Sequence, residues 1–229
     1  MSRSVVLAQT VRCPHCLGLP RWCVCTALRS IATPLQIDAL IHRREFWRPT
    51  STGRLITRVM AGARGHFYRQ ESPVARDAVV VPGREVWVLH PLGEPVPAGV
   101  APENVQVVLL DGSWREAATM LAVTGTWGRK VSVPMSGPSR YWLRDQSSEG
   151  KYATAEALIF LLAALGLTEA ECQLRLQFEL FVYVGLRTRG AKAQAEEFLS
   201  RSPLRDAMPE VLAGLEVSRP DWISLGKKD

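Results

Sequence analysis

At 229 residues the chain is long enough for one substantial hydrophobic core with a small appendage, and short for two full domains. An apolar share of 47% with seven tryptophans excludes a disordered segment, and the longest apolar run, residues 157–167, is too short to span a bilayer. The net charge of +6 hides an asymmetry: residues 1–70 carry eleven arginines against Asp38 and Glu45, a balance of +9, and the rest sums to −3. A basic front end on a mildly acidic body suits a polyanion, nucleic acid first, although a solvated arginine-rich surface has the same composition.

In chain order, a cysteine-rich leader occupies residues 1–32, with no charged-then-apolar stretch before its first cysteine; a cytoplasmic location is the expectation. Residues 35–41, 85–89 and 105–110 read as strands, and their near-continuous Val, Ile and Leu suit a parallel sheet buried on both faces. Residues 52–61, 113–123 and 153–165 read as the helices between and after them, which gives an α/β fold. A long helix is predicted over 168–187 from a Thr168-x-x-Glu171 capping box, then a shorter one over 192–199, with a loose tail after Ser218. The expected division is a knuckle at 1–32, a catalytic domain at 33–200 and a tail at 201–229.

Cys13-Pro-His-Cys16 and Cys23-Val-Cys25 give C-x2-C-x6-C-x-C within thirteen residues. In a reducing compartment such crowding points to a metal, and four thiolates close a tetrahedral zinc site with no open catalytic position. An iron–sulfur cluster is the competing reading. The predicted knuckle presents Arg12, Arg21, Trp22 and Arg29 to RNA, where arginine meets phosphate and an aromatic stacks a base. His15 is read as a loop residue and Cys172 as a small core residue.

The strand over 105–110 runs directly into Asp111-Gly112-Ser113-Trp114, and Ser113-x-x-Glu116 is a capping box opening the next helix. In a parallel α/β sheet ligands gather where strand carboxyl ends meet helix N-termini. Asp111 is therefore the candidate functional carboxylate, although an Asp-Gly turn with a serine cap is also ordinary loop chemistry.

These residues resemble the DTW-domain family, whose Asp-x-Thr-Trp core reads here Asp111-Gly-Ser-Trp114. Further blocks support the resemblance: the cysteine leader; His42-Arg-Arg-Glu45 followed by Arg48 and Ser51-Thr52-Gly53-Arg54-Leu55; Leu89-His90-Pro91; Tyr141-x-x-Arg144; and Thr154-Ala-Glu156-Ala157. Together they cover roughly residues 12 to 165. Four positions depart from the family pattern: Ser113 for Thr, Ser51 for Asn, Ala153 for Ser, and Arg43 where Pro is common. The loss of an amide at position 51 puts that contact in question.

The resemblance implies a SPOUT-like, knotted α/β fold and transfer of an aminocarboxypropyl group from S-adenosylmethionine to N3 of a tRNA uridine, in the variable loop. It places Asp111 as base or uracil-orienting group, with Ser113 and Trp114 beside it. Leu89, His90, Pro91, Leu110, Gly112, Tyr141, Arg144, Thr154 and Glu156 are expected around the donor. His42, Glu45, Arg48, Thr52, Arg54 and Arg58 are expected on the tRNA side, Arg54 and Arg58 sharing one helical face. Helix capping explains Thr154 and Glu156 equally well. Trp47, Trp114 and Trp142 are read as core or site walls. The alternatives are a SPOUT-type RNA methyltransferase and a non-catalytic zinc-knuckle RNA-binding protein. No membrane and no obligate protein partner are expected, and the protein is read as a monomer.

Overall fold

The computed structural model describes residues 11–144 and 150–217. Five strands, β1 (Gln36–His42), β2 (Arg64–Tyr68), β3 (Glu85–Pro95), β4 (Val105–Asp111) and β5 (Arg129–Ser132), form one sheet in the order β2-β1-β4-β3-β5. Every pairing is parallel. Nine helices accompany them among the described residues: α1 (Arg43–Phe46), α2 (Thr52–Val59), α3 (Arg76–Val79), α4 (Trp114–Thr124), α5 (Thr154–Ala164), α6 (Thr168–Thr188), α7 (Lys192–Ser200), α8 (Leu204–Ala207) and α9 (Pro209–Glu216).

The strands alternate between two cores. Val105, Val107 and Leu109 of β4 face the larger one, with Ile37, Ala39 and Ile41 of β1 and the inner faces of α2, α5 and α6. Val108 and Leu110 face a smaller one with Leu40, Val86, Val88, Tyr68 and Met120. The result is a three-layer α/β body, the architecture expected of strands apolar on both faces. Among the described residues no helix is long and apolar enough to cross a membrane.

The three expected strands are present, but β3 continues past Leu89 to Pro95 through a register shift against β5 between Leu89 and Glu94. Gly93 permits this, since a Cβ there would lie 2.4 Å from the Val131 backbone. The bulge turns His90-Pro91 out of the regular ladder while Leu89 still pairs with Val131. Edge strands β2 and β5 were not predicted.

Two expectations at the C-terminal side are corrected. The 168–187 helix has no Thr168 capping box: Leu167 is the N-cap without a side-chain bond, and Glu171 instead pairs with Arg175 Nε at 2.7 Å. Residues 204–216 of the supposed tail form α8 and α9, with Leu204 and Leu215 fully buried in the main core. The loose segment predicted after Ser218 lies outside the described residues.

A buried polar knot lies towards the opposite end of β1. Asp38 accepts Arg64 Nε and Gln106 Nε2 at 2.7 Å each and meets His66 Nε2 at 2.7 Å. Burial alone would push its carboxyl up, but these partners outweigh burial and hold it below the usual carboxylate range. The knot stitches the polar edge strand β2 to β1 and β4.

Candidate functional site

Asp111 ends β4 in register with Ile41, so Asp111 and His42 leave the sheet at the same carboxyl edge. Two helix N-termini converge there. Ser51, the N-cap of α2, donates its hydroxyl to Asp111 Oδ2 at 2.7 Å and accepts from the Arg54 N–H at 3.1 Å. Thr154, opening α5, donates to Oδ1 at 2.8 Å, and Thr52 donates to the same oxygen at 3.3 Å. The Gly53 backbone N–H adds a further bond. A Cβ on Gly53 would stand 2.7 Å from the Asp111 carboxylate carbon, so only glycine permits this approach. Burial pushes the Asp111 carboxyl up, the nearby Glu45 charge adds to it, and the Ser51 and Thr154 hydroxyls oppose it. The Ser51 hydroxyl thus supplies a contact to Asp111 despite the missing amide.

An apolar cleft opens beside Asp111. Leu89, His90, Pro91, Leu109, Leu110, Gly112, Trp114 and Ala117 line it from the strand ends and α4. Val133, Met135, Tyr152, Ala153, Thr154 and Ala157 close it from the segment entering α5. His90 Nδ1 accepts the Leu92 N–H at 3.2 Å, and burial with the Lys130 charge lowers the pKa of its ring. The Ser113 and Glu116 capping box forms as expected, with Ser113 N–H to Glu116 Oε2 at 2.8 Å. Trp114 is 43% exposed and forms a wall of the cleft.

A second, polar chamber is contiguous with the cleft. It shares Gly112, Trp114, Tyr152, Ala153 and Thr154 and adds Thr50, Thr52, Asp111, Ser113, Tyr141, Arg144 and Lys151. Tyr141 donates its hydroxyl to the Thr50 carbonyl at 2.6 Å, and burial pushes its pKa up to about 12, so it stays a donor at neutral pH. Glu45, 2% exposed, is clamped between Arg144 and Arg48, the latter at 2.8 Å. Arg144 thus reaches the chamber with its charge oriented by a buried carboxylate. His42 Nδ1 lies 3.2 Å from Glu116 Oε1 at the rim.

The structure does not bring Glu156 to either space. Its carboxylate accepts Ser139 Oγ at 2.8 Å, the Arg140 N–H at 2.6 Å and the Ala153 N–H at 2.7 Å, fixing the 139–144 loop to the start of α5. Arg140 in turn chelates Glu179 of α6 with bonds of 2.9 and 2.7 Å. Sequence reasoning missed these supports because their partners lie far along the chain.

The four cysteine sulfurs lie within 4.8 Å of one another, with Cys13–Cys25 at 3.7 Å and Cys16–Cys23 at 3.8 Å. A tetrahedron with zinc–sulfur bonds of about 2.3 Å has edges of roughly 3.8 Å, so the donor set fits one zinc ion. A multi-iron cluster spreads its ligands wider. The Leu17 N–H reaches the Cys13 carbonyl at 2.8 Å, and Leu17, at φ 58°, then makes the left-handed turn that brings the Gly18 carbonyl back to the Cys13 N–H at 3.0 Å.

The knuckle docks on the body in a way that changes several expectations. Arg58 Nη2 donates to Cys25 Sγ at 3.1 Å, and Arg54 donates to the His15 and Phe46 carbonyls at 3.0 Å each. The shared face of Arg54 and Arg58 therefore meets the knuckle and not open solvent. Trp22 is sandwiched between Arg21 and Arg187, whose guanidinium carbons lie 4.3 and 4.5 Å from its ring centroid. The Arg29 backbone is gripped by Gln177 with bonds of 3.1 and 2.6 Å. Trp142 packs edge-on against Phe198 as expected of a core residue, but Trp47 is 68% exposed and is neither core nor wall.

A model of the DTW domain matches residues 10–184, from the cysteine knuckle into α6. The chain belongs to the DTW-domain family. No solved structure matches it. Membership is consistent with a tRNA-modifying role. The DTW motif itself, Asp111 to Trp114, is where cleft and chamber join.

Proposed function

We propose that this DTW protein transfers the 3-amino-3-carboxypropyl group of S-adenosylmethionine to N3 of a uridine in the tRNA variable loop, releasing methylthioadenosine. The observation that carries the reading is the contiguity of an apolar cleft and a polar, cation-bearing chamber at Asp111. Leu89, Pro91, Leu110 and Ala157 suit the adenosyl end of the donor. Arg144, held by Glu45, suits its carboxylate. The uridine enters from the chamber side.

The donor supplies an activated carbon: N3 bonds to the γ-carbon as the carbon–sulfur bond breaks, and its electron pair neutralises the sulfonium. The protein holds the partners in line and accepts the N3 proton. Asp111 is the base, its pKa raised by burial. Cys13, Cys16, Cys23 and Cys25 hold a structural zinc. We extend the reading to a SPOUT-like knotted fold, supported by the way the turns after β3 and β4, Val133 and Met135, and Tyr152 to Thr154 close on one cleft.

The test is incubation of purified protein with S-adenosylmethionine and unmodified tRNA, with nucleosides and small molecules read by mass spectrometry. Uridine heavier by one aminocarboxypropyl group, with methylthioadenosine, is expected. Methylated nucleosides with S-adenosylhomocysteine would assign a methyltransferase instead. RNA binding with no product would leave a binding module and remove Asp111 from catalysis.

A further inference from the structure

Trp47 is the most exposed tryptophan among the described residues and lies close in sequence to residues that line the chamber. It caps α1, two residues after Glu45 and three before Thr50, which lines the chamber. An indole left 68% exposed forgoes burial that a core position would give it. It is nevertheless held firmly. Its ring stands edge-on to Phe46 at 5.0 Å and 76°, and Phe46 stands edge-on to Phe67 of β2 at 4.9 Å and 85°. The Phe46 carbonyl is tied by Arg54. Trp47 is thus the outermost of three rings rooted in the sheet.

The surroundings of this indole are cationic. The side chains of Arg43, Arg44 and Arg48 are 49%, 67% and 51% exposed. Three acids face them: Glu71 lies 3.4 Å from Arg43, Glu116 lies 3.6 Å from Arg44, and the buried Glu45 pairs with Arg48. Each arginine meets its acid through one terminal nitrogen, and the exposed pairs are weak enough for a phosphate to compete. An aromatic face framed by arginines is the pattern that binds unpaired nucleotides: the ring stacks a base and the cations take the phosphates.

We propose that Trp47 is a stacking platform for an unpaired RNA base flanking the modified uridine, with Arg43, Arg44 and Arg48 contacting the adjoining phosphates. The proposal rests on the RNA-modifying reading above and adds which surface holds the strand. A uridine must leave its stack to present N3 in the chamber, and the neighbour it abandons gains a new face on the indole.

The test measures affinity, not turnover. Unmodified tRNA transcript and an oligouridylate are titrated by fluorescence anisotropy, without donor, against wild type, Trp47→Ala and Trp47→Phe. Trp47→Ala is expected to weaken binding about 5- to 100-fold, and Trp47→Phe to retain most of it. Alanine at Arg43, Arg44 or Arg48 should each lower the slope of log affinity on log salt by about one. The affinity for S-adenosylmethionine should not change in the two Trp47 variants. Wild-type affinity in Trp47→Ala would overturn the platform alone. Failure of wild type to bind either RNA would sink the RNA-modifying reading with it. A wild-type dimer in sedimentation that Trp47→Ala dissociates would reassign the face to self-association.

Discussion

Arg58 Nη2 lies 3.1 Å from Cys25 Sγ, so helix α2 ends against the cysteine cluster while its first turn cradles Asp111. One helix therefore touches the four-cysteine cluster with one end and the Asp111 carboxylate with the other. Four thiolates around a divalent ion leave a net negative charge, and Arg58 offsets part of it. Arg58→Met is expected to weaken zinc retention about 10- to 100-fold, read by chelator competition with a colorimetric zinc indicator. Stripping the metal should lower the melting temperature and expose Trp22, seen as a red shift in tryptophan fluorescence. Unchanged retention in Arg58→Met would reduce the contact to simple packing.

Ser51 stands where the family pattern has Asn, and it performs two tasks: it caps α2 and donates to Asp111. Ser51→Ala should cost about 1 kcal/mol of stability through the lost cap and lower activity through the loosened carboxylate. Ser51→Asn restores both a cap and a donor and should recover stability and most of the rate. Thermal melts and initial rates on the same preparations check this. An alanine variant with wild-type melting and rate would show the hydroxyl to be dispensable.

Gly53 is the closest approach of backbone to the Asp111 side chain. Gly53→Ala places a methyl group 2.7 Å from the carboxylate and must displace one or the other. A shift of about 1 Å at a reacting group costs on the order of 100-fold in rate, so activity should fall by that order while the fold persists. Circular dichroism and turnover with saturating tRNA separate the two effects.

The raised Asp111 pKa carries a pH signature. The folded protein holds this proton more tightly than the unfolded chain, whose aspartates titrate near about 3.9. Below that value both states are protonated and burial imposes no ionisation penalty. As pH climbs towards the raised folded pKa, the unfolded state ionises first and stability declines. Asp111→Asn lacks this response, so its melting temperature relative to wild type should climb as pH rises above about 4. Its activity should fall about 100- to 10,000-fold. A relative melting temperature that declines with pH would mean that the cage of hydroxyls, not burial, governs the group.

The central strands were legible because β1 and β4 are apolar on both faces, and only a sheet covered on both sides accepts that. β2 and β5 were not, because Arg64-Gly-His-Phe-Tyr68 and Arg129-Lys-Val-Ser132 are edge strands whose polar residues meet solvent or the Asp38 knot. Asp111 was legible from a strand running into a capped helix. The cage around it was only half legible: Thr52 and Thr154 belonged to recognised blocks, but their convergence on one carboxylate depends on packing across more than forty residues. Arg54 and Arg58 share a face as their spacing requires, yet what that face meets is decided by the docking of the knuckle. Trp47 misled because its neighbour Phe46 is inward-facing, and adjacent residues at a helix end point in different directions.

The family match stops at residue 184, but the mechanical support for the site does not. Gly185 lies against the Leu143 side chain, where a Cβ would be 2.6 Å from it, and Arg189 bonds the Leu143 carbonyl. Arg187 covers Trp22, and Phe198 packs under the Arg140 guanidinium at 3.9 Å while its carbonyl accepts from it. A chain ended at the family boundary would retain every motif residue yet lose the buttress behind the 139–144 loop and the cover over the knuckle. The unit that evolution repeats and the unit that folds therefore have different ends, and Gly185, Arg187, Arg189 and Phe198 are among the residues that carry the difference.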